Sequence, residues 1–336
     1  MPISKTDADA TLDLLAGATS IRCICHQNPD GDTIGAMLGF GQLLEEQFPN
    51  ANVSFHCVDP VPDTFRFLPA ALRVTVVPPM ADIGAKDVCV FFDSAEPKLT
   101  GLLGSHPELF SGSARTINID HHPTNTAFGT INLIAPDTSS ACEVIVQFTE
   151  LLGWKLSPDA ATCLLTGVFT DTGGLLHSNT TSPVYRTVAL LLRAGARRQQ
   201  VVDAVFRTAK LSTLRLWGRV LEKITLTEEG GAISAVTQGD FRATGANYSE
   251  LTGAIDYVNA IPGMRFSLIL SERDGKVKGS LRTLREDVDV SAMAGKFSGG
   301  GHRKAAGFSL SGHLKPEVRW KVVADDAAQE TESSKA

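Results

Sequence analysis

Short apolar runs that alternate with helical patterns constrain the first half of this chain more than any other feature. Buried strands are predicted at 20–26, 52–58, 87–93 and 115–120, and helices at 33–48, 140–152 and 159–170. Alternating strands and helices favour a parallel sheet covered by helices on both faces, with right-handed crossovers. The first half is therefore predicted to be an α/β domain.

The pattern changes after a helical stretch at 182–222. Hairpin-like strands around 223–238, a helix at 248–260 and a strand pair over 265–283 that turns at Asp274-Gly275 predict a smaller α+β domain. A chain of 336 residues exceeds the usual size of one core, so two domains are expected. We place them at 1–195 and 223–325, with a helical linker at 196–222 and a disordered tail at 326–336.

Cysteine usage and hydropathy favour a cytoplasmic protein. The six cysteines lie mostly inside apolar runs, which predicts reduced core thiols and not a disulfide framework. We find no apolar run of membrane-spanning length and no signal-peptide pattern, so no membrane association is expected.

Three of the predicted strands end in acids or histidines. The first is followed by His26, Asp30 and Asp32, the third by Asp93, and the fourth by Asp120, His121 and His122. Ligands bind outside the carboxyl ends of strands in open parallel sheets, so these side chains are expected to converge. Asp171 follows an apolar helix, at the negative end of the helix dipole, where a cation is favoured.

These eight side chains predict a metal site. Crowded carboxylates repel one another unless cations lie between them. Carboxylates outnumber imidazoles and no thiolate belongs to the set, which favours Mn²⁺ or Mg²⁺ over zinc. The set exceeds the needs of one ion, and two ions about 3.5 to 4 Å apart would suit phosphoester hydrolysis.

Structural interpretations exist for single members of the set. Asp30 with Gly31 fits a turn, and Asp32 fits the cap of a helix that begins at Thr33. Ser140 and Glu143 fit a structural capping box, and we leave them outside the site.

A glycine run near the end of the chain is a candidate phosphate site. Gly299, Gly300 and Gly301 precede His302, and Arg282 lies on a predicted strand. Glycines let backbone N–H groups approach a phosphate closely, and arginine can bind its oxygens in a bidentate manner. An ordinary glycine-rich loop with solvated charges is the alternative. The spacing matches neither a Walker motif nor a dinucleotide-binding motif.

The ordered set of motifs resembles the DHH phosphoesterase superfamily. The matching segments are His26-x-x-Pro29-Asp30-Gly31-Asp32, Asp93, Asp120-His121-His122 and Thr170-Asp171-Thr172-Gly173. Gly299-Gly300-Gly301-His302 with Ala305-Ala306-Gly307 resembles the signature of the DHH-associated C-terminal domain. The two-domain size resembles the bacterial nanoRNase group, the bifunctional oligoribonucleases and 3'-phosphoadenosine 5'-phosphate (PAP) phosphatases.

The resemblance implies two Mn²⁺ ions, with Mg²⁺ as the alternative metal, at a cleft between the domains. One ion would be held by His26, Asp30 and Asp93, and the other by Asp32, Asp93, His121 and Asp171. Asp120 would orient the histidines. His122 would lie near the scissile phosphate, where it either donates a hydrogen bond to a phosphate oxygen or protonates the leaving 3'-oxygen. Arg282 and the Gly299, Gly300, Gly301 and His302 segment would hold the substrate.

The charge distribution agrees with this expectation. The formal net charge of −6 excludes a strongly basic protein that coats duplex nucleic acid. Residues 1–195 carry 10 Lys and Arg against 20 Asp and Glu, whereas residues 196–336 carry 21 against 17. An anionic metal-binding half would thus be joined to a cationic substrate-binding half.

The resemblance implies RNA strands of about two to five nucleotides, cut to nucleoside monophosphates, together with PAP, as substrates. Short strands are favoured because long-strand binders add extended basic or aromatic tracks. A phosphodiesterase of linear or cyclic dinucleotides is the alternative, and a non-catalytic nucleotide- or RNA-binding protein is a third interpretation. Long duplex nucleic acid is not an expected partner, and a homodimer is left open.

Overall fold

The computed structural model describes residues 3–76, 83–112 and 114–315, and it divides into two compact units. The first unit ends at Thr208 and the second begins at Ala209. The predicted linker at 196–222 is divided between them, since Val201 lies in the first core and Leu216 in the second.

A six-stranded parallel sheet forms the centre of the first unit. Its strands are β1 (Ser20–Ile24), β2 (Asn52–Cys57), β3 (Val74–Val76), β4 (Asp87–Phe92), β5 (Arg115–Asp120) and β6 (Ile131–Ile134). Their order across the sheet is β3-β2-β1-β4-β5-β6, and every pairing is parallel. The chain order reverses at β1, so the carboxyl ends of β1 and β4 form the switch point at which open sheets bind ligands. The predicted α/β fold is confirmed.

Helices cover this sheet and supply most of its core. They are α1 (Lys5–Ala16), α2 (Gly31–Gln47), α3 (Ala141–Leu152), α4 (Pro158–Asp171), α5 (Ser182–Arg193) and α6 (Arg198–Phe206). All six residues of β4 are buried, as expected for a strand covered on both faces. Helices α2 and α4 approach closely because α2 carries glycine at the contact, and a Cβ atom at Gly35 would lie 2.5 Å from the carbonyl oxygen of Cys163.

The second unit is a mixed α+β domain around another six-stranded sheet. Its elements are α7 (Leu211–Glu222), β7 (Thr225–Leu226), β8 (Gly231–Val236), α8 (Gln238–Thr244), α9 (Ala254–Asn259), β9 (Phe266–Arg273), β10 (Lys276–Arg282), α10 (Val290–Gly295), β11 (Gly300–His302) and β12 (Ala305–Ser311). The strand order is β11-β12-β10-β9-β8-β7, with β8 and β9 parallel and the other pairs antiparallel. The predicted turn between β9 and β10 is confirmed, since Asp274 and Gly275 both have positive φ angles, as a tight hairpin requires.

Three details of the second unit differ from the sequence predictions. The helix expected at 248–260 is a 3₁₀ turn followed by α9, because Gly253 between them has a φ of 90°. Helix α8 is not among the predicted elements, because a helix of seven residues is too short to show a recognisable periodicity. The glycine segment predicted as a loop forms strand β11, which pairs with β12.

Two expectations remain, one about the C-terminal tail and one about membrane-spanning helices. The predicted tail at 326–336 lies outside the described residues. Among the helices that the structure describes, we find none with both the length and the apolar character needed to cross a bilayer.

Candidate metal centre

The carboxyl ends of three neighbouring strands bring the predicted ligands together. His26 lies two residues after β1, Asp93 directly follows β4, and Asp120 is the last residue of β5. Because β1, β4 and β5 are adjacent in the sheet, their polar end residues meet at one edge.

Asp93 lies at the centre of this cluster. Its Oδ2 atom is 3.5 Å from Nε2 of His26, and its Oδ1 atom is 3.4 Å from both Nε2 of His121 and Nδ1 of His122. The side chain is 5% exposed, and Oδ1 accepts no hydrogen bond. A buried carboxylate oxygen without a donor is costly, and a metal ion would satisfy it.

The donors around Asp93 form three overlapping groups. In each group the possible ligand atoms lie within 4.8 Å of one another. The groups are Asp93, Asp120, His121 and His122; His26, Asp30 and Asp93; and Asp32, His121 and Asp171. Imidazole nitrogens and carboxylate oxygens at this spacing suit a divalent metal, so the residues present fit the predicted site.

Asp30 holds the start of α2. Its Oδ1 atom accepts hydrogen bonds from the backbone N–H groups of Asp32, at 3.0 Å, and Thr33, at 3.1 Å. The helix therefore begins at Gly31, two residues before the predicted start, and the cap is Asp30 and not Asp32. The same oxygen of Asp30 is 3.8 Å from Nε2 of His26, so capping and membership of the cluster are compatible.

Asp32 is held by the N-terminus of another helix. Its two carboxylate oxygens accept hydrogen bonds from the N–H groups of Ala141, at 2.6 Å, and Cys142, at 3.0 Å, in the first turn of α3. These donors stabilise a fully buried carboxylate. Ser140 and Glu143 cap α3 as expected, although Glu143 accepts from the N–H of Ser139 and not of Ser140.

Asp171 reaches the cluster from the last turn of α4. Its Oδ2 atom is 3.3 Å from Nε2 of His121. The backbone carbonyl of Asp171 lies 3.2 Å from Nδ1 of His177 and accepts a hydrogen bond of 3.2 Å from the amide of Asn179. These contacts fix the end of α4 where its carboxylate faces the histidine.

Asp120 orients one of the histidines. Its Oδ1 atom lies 2.8 Å from Nδ1 of His122, and its Oδ2 atom accepts a hydrogen bond from the amide of Asn125. Asn125 also donates to the carbonyl of Ser94, just beyond β4. The sequence analysis missed Asn125, since a single asparagine five residues after Asp120 carries no distinctive signal.

The carboxylates of the cluster favour the protonated, positively charged forms of its histidines. Burial opposes protonation of His26 and His121, but interactions with Asp93 and other neighbouring groups together outweigh burial and raise their pKa values to about 9 and about 10. Burial and the charge of Asp93 raise the pKa of Asp171 to about 7. The hydrogen bond that His122 donates to Asp120 raises the pKa of His122. The cluster therefore stabilises cations, which is the electrostatic property a metal site requires.

The predicted phosphate-binding residues belong to the second unit. Arg282 on β10 and His302 on β11 both pair with Ala305 on β12. Paired residues in antiparallel strands project from the same face, so Arg282 and His302 share one face of this sheet. Gly301 has a φ of 141°, in the region that favours glycine.

Comparisons with known proteins place these residues in a family. Residues 20–168 match the model of the DHH family, N-terminal domain, and residues 231–327 match that of the DHHA1 domain. A Thermus thermophilus protein named bifunctional oligoribonuclease and PAP phosphatase NrnA is 35% identical over 85% of this chain and 83% of its own length.

Two further proteins are similar to this chain at lower sequence identity. An exopolyphosphatase-related protein from Bacteroides fragilis has a crystal structure that superposes with a TM-score of 0.81, at 25% identity and 93% coverage of both chains. The cyclic-di-AMP phosphodiesterase PdeA of Listeria monocytogenes is 26% identical over 91% of this chain but only 47% of its own length. The Thermus relative matches in both identity and coverage, two domain models match, and the chain carries the histidine and carboxylate cluster. This chain therefore belongs to the DHH family and is a phosphoesterase.

Proposed function

We propose that this protein is a manganese-dependent phosphoesterase that hydrolyses short oligoribonucleotides to nucleoside monophosphates and PAP to AMP. The cluster centred on the orphaned Oδ1 atom of Asp93 is the observation that carries the proposal. The relative named as a bifunctional oligoribonuclease and PAP phosphatase supports the choice of substrates.

The proposed ligand sets are those that the resemblance implies, and the spacing of the cluster supports them. His26, Asp30 and Asp93 would hold one Mn²⁺ ion, and Asp32, Asp93, His121 and Asp171 the other. Each set contains at least one group of ligand atoms within 4.8 Å of one another. When bound, the ions supply Lewis-acid chemistry that activates water and offsets the charge of the phosphate.

His122 is the proposed catalytic residue of the chain itself. Its Nδ1 atom bonds to Asp120, which leaves Nε2 to face the substrate. Its side chain is 43% exposed, whereas those of His26 and His121 are 15% exposed. Asp120 raises the pKa of His122, which favours a protonated imidazole as a donor from Nε2 to a phosphate oxygen or to the leaving 3'-oxygen.

Residues of the second unit are proposed to bind the substrate. The guanidinium of Arg282 would hold phosphate oxygens, and the backbone N–H groups of Gly299 to His302 would approach them closely. Free, buried cysteines at all six positions support a reducing, cytoplasmic location. A homodimer stays a prediction.

A phosphodiesterase of linear or cyclic dinucleotides is the second candidate. The similarity to the Listeria phosphodiesterase over 91% of this chain favours it. The better match to the Thermus relative, at 35% identity, is the reason for preferring the first candidate.

A side-by-side assay tests these candidates. Purified protein is supplied with Mn²⁺, Mg²⁺ or a chelator, and products are separated from PAP, end-labelled di- to pentaribonucleotides, cyclic dinucleotides and pyrophosphate. We expect nucleoside monophosphates from the oligonucleotides and AMP from PAP, with Mn²⁺ as the more effective metal. Activity on cyclic dinucleotides alone would favour the second candidate, and activity on pyrophosphate alone would contradict both.

A further inference from the structure

A groove within the second unit is lined by cations from one face of its sheet. The groove has a volume of about 240 Å³. Arg273 of β9 and Lys278 and Arg282 of β10 contribute its positive charge. Among the described residues that line it, none is acidic.

Strand register explains why these cations share a face. In the antiparallel pair β9 and β10, Lys278 lies opposite Ser271 and Arg282 lies opposite Ser267. Side chains alternate between the faces of a strand, so Lys278 and Arg282 project together while Leu281 between them enters the core on the other face.

Two of the cations have no acidic partner in the part of the chain that the structure describes. Within the described segments, no carboxylate lies within salt-bridge distance of Lys278 or Arg282, and Arg282 donates only to the carbonyl of Leu281. Arg273 differs, since it pairs with Asp274 at 3.3 Å and lies 5.0 Å above the ring of Tyr248. Unpaired lysine and arginine in a concave site attract an anion.

Apolar and hydroxyl-bearing side chains also line the groove. Leu251 and Ile255 supply apolar surface, the hydroxyl group of Thr252 can bond to a ligand, and Ser280 lies on β10 between the two cations. A ligand that carries both phosphate groups and a flat, weakly polar base matches this lining.

We propose that this groove binds the nucleotides of an RNA substrate that lie beyond the bond being cut. The inference rests on the proposed function and extends it to substrate length. Lys278 and Arg282 are four residues apart on one strand, about 13 Å at 3.3 Å per residue, so a ligand that contacts both extends past a single phosphate group. Longer oligonucleotides thereby gain a contact at Lys278 that PAP does not make.

The test compares substrates of different length in the full-length protein. Lys278→Gln removes the charge, Lys278→Arg retains it, and Lys276→Gln removes a charge from the same strand outside the groove lining. Kinetics are measured with a pentaribonucleotide and with PAP over a range of salt concentrations, and binding of a labelled pentaribonucleotide is measured by fluorescence anisotropy with Ca²⁺ in place of Mn²⁺.

We expect Lys278→Gln to weaken pentaribonucleotide binding and raise its KM about fivefold, with kcat unchanged, while the KM for PAP stays within about twofold. The slope of log affinity against log salt should become shallower by about 0.7, the value for one phosphate contact with a single strand. Lys278→Arg and Lys276→Gln should resemble the wild type.

Each remaining outcome separates the two proposals. Equal increases in KM for both substrates, or an unchanged salt slope, would overturn the groove proposal and leave the proposed function intact. Weakened pentaribonucleotide binding by Lys278→Gln in a protein that hydrolyses neither substrate would support the groove and overturn the proposed function.

Discussion

Asp93 combines three properties that rarely occur together in one residue. It is buried, its backbone has a φ of 52°, and its carboxylate contacts three histidines. A left-handed conformation costs about 1 to 3 kcal/mol in most non-glycine residues, although Asp and Asn tolerate it better. The surrounding sheet holds this conformation, which aims the carboxylate at the meeting point of the cluster.

Replacement of Asp93 by asparagine should abolish metal-dependent turnover without unfolding the protein. Asparagine keeps the size of the side chain and tolerates positive φ, but its amide is a poor metal ligand. We expect kcat to fall by more than about 100-fold, beyond the loss typical of outer ligand partners, and Mn²⁺ affinity to fall in calorimetry. Asp63→Asn, at an exposed 3₁₀ turn, is the matched control. Near wild-type turnover by Asp93→Asn would contradict the proposed site.

Asn125→Ala tests a positioning role. The amide of Asn125 holds Asp120, which in turn holds His122. We expect kcat to fall by about 10- to 100-fold while the number of Mn²⁺ ions bound is retained, because Asn125 is not a proposed ligand. The exposed Asn52→Ala serves as control. If kcat falls only in proportion to a loss of folded protein in circular dichroism, the role is structural.

At the scale of elements, the cluster depends on how closely α2 and α4 pack. The proposed ligands Asp32 and Asp171 lie near the ends of these two helices. Glycine at positions 31, 35 and 39 gives α2 a flat face on which α4 rests, and a methyl group there would meet α4. A small displacement of either helix would separate two carboxylates that are proposed to bind the same ion.

Gly35→Ala should therefore damage both stability and metal binding. The added methyl group would meet the backbone of Cys163, and overpacking of this kind costs about 1 to 3 kcal/mol of unfolding free energy. Gly218→Ala on α7 is the matched control, because nothing lies within 4 Å of its new Cβ atom. We expect the control to be neutral or stabilising by up to about 1 kcal/mol in urea unfolding. Equal effects of the two substitutions would contradict the packing argument.

Hydrogen bonds at the start of α8 contribute to the stability of the second unit in a pH-dependent manner. Asp240 accepts hydrogen bonds from the N–H of Thr237, at 2.8 Å, and from Nζ of Lys223, at 2.6 Å. Burial raises the pKa of Asp240, but the hydrogen bonds from Lys223 and Thr237 together outweigh burial and lower this pKa below its ordinary value. A lowered folded-state pKa stabilises the protein above the unfolded-state pKa, and this stability is lost as pH falls through the folded-state pKa.

Asp240→Asn should cost about 1 kcal/mol of unfolding free energy at pH 7, since it removes the capping carboxylate and its ion pair. The difference from wild type should shrink as pH falls below about 4, the ordinary aspartate pKa, and through the lowered folded-state pKa of Asp240. Urea unfolding of both proteins at pH 7 and pH 3 measures the change, with Asp256→Asn on α9 as control. A deficit that is constant with pH would show that the charge of Asp240 is unimportant.

At the scale of the whole molecule, the two units have separate cores and separate chemistry. The main core of the first unit runs from Ile3 to Val201, and a core of the second begins at Leu216. All eight proposed metal-cluster residues belong to the first unit, whereas Arg282 and the cationic groove belong to the second.

Mn²⁺ should therefore stabilise the first unit selectively. A ligand present at 100 times its dissociation constant stabilises the folded state by about 2.7 kcal/mol. Hydrogen exchange of the full-length protein with Mn²⁺ or a chelator should show slower exchange in α2, α4 and the ends of β1, β4 and β5, with little change in β9 and β10. Protection confined to the second unit would contradict the assignment of the metal site.

Local sequence patterns account for much of the fold and of the site. Apolar runs and helical periodicity predicted four central strands and the helices α2, α3 and α4, because these patterns depend on residues close together in the chain. Short elements such as β3, β6 and α8 were not predicted, since three to seven residues carry too little periodicity.

The sequence by itself determined which side chains are candidate metal ligands, because motif residues at strand ends follow from local spacing. Only the tertiary structure decided how they are held. Asp32 depends on N–H groups more than 100 residues away, and Asp120 depends on an asparagine without a motif. Lys278 gains significance only when the register of β9 and β10 sets it in the same groove as Arg282. Contacts between distant segments arise from packing, and packing is not encoded in any single stretch of the chain.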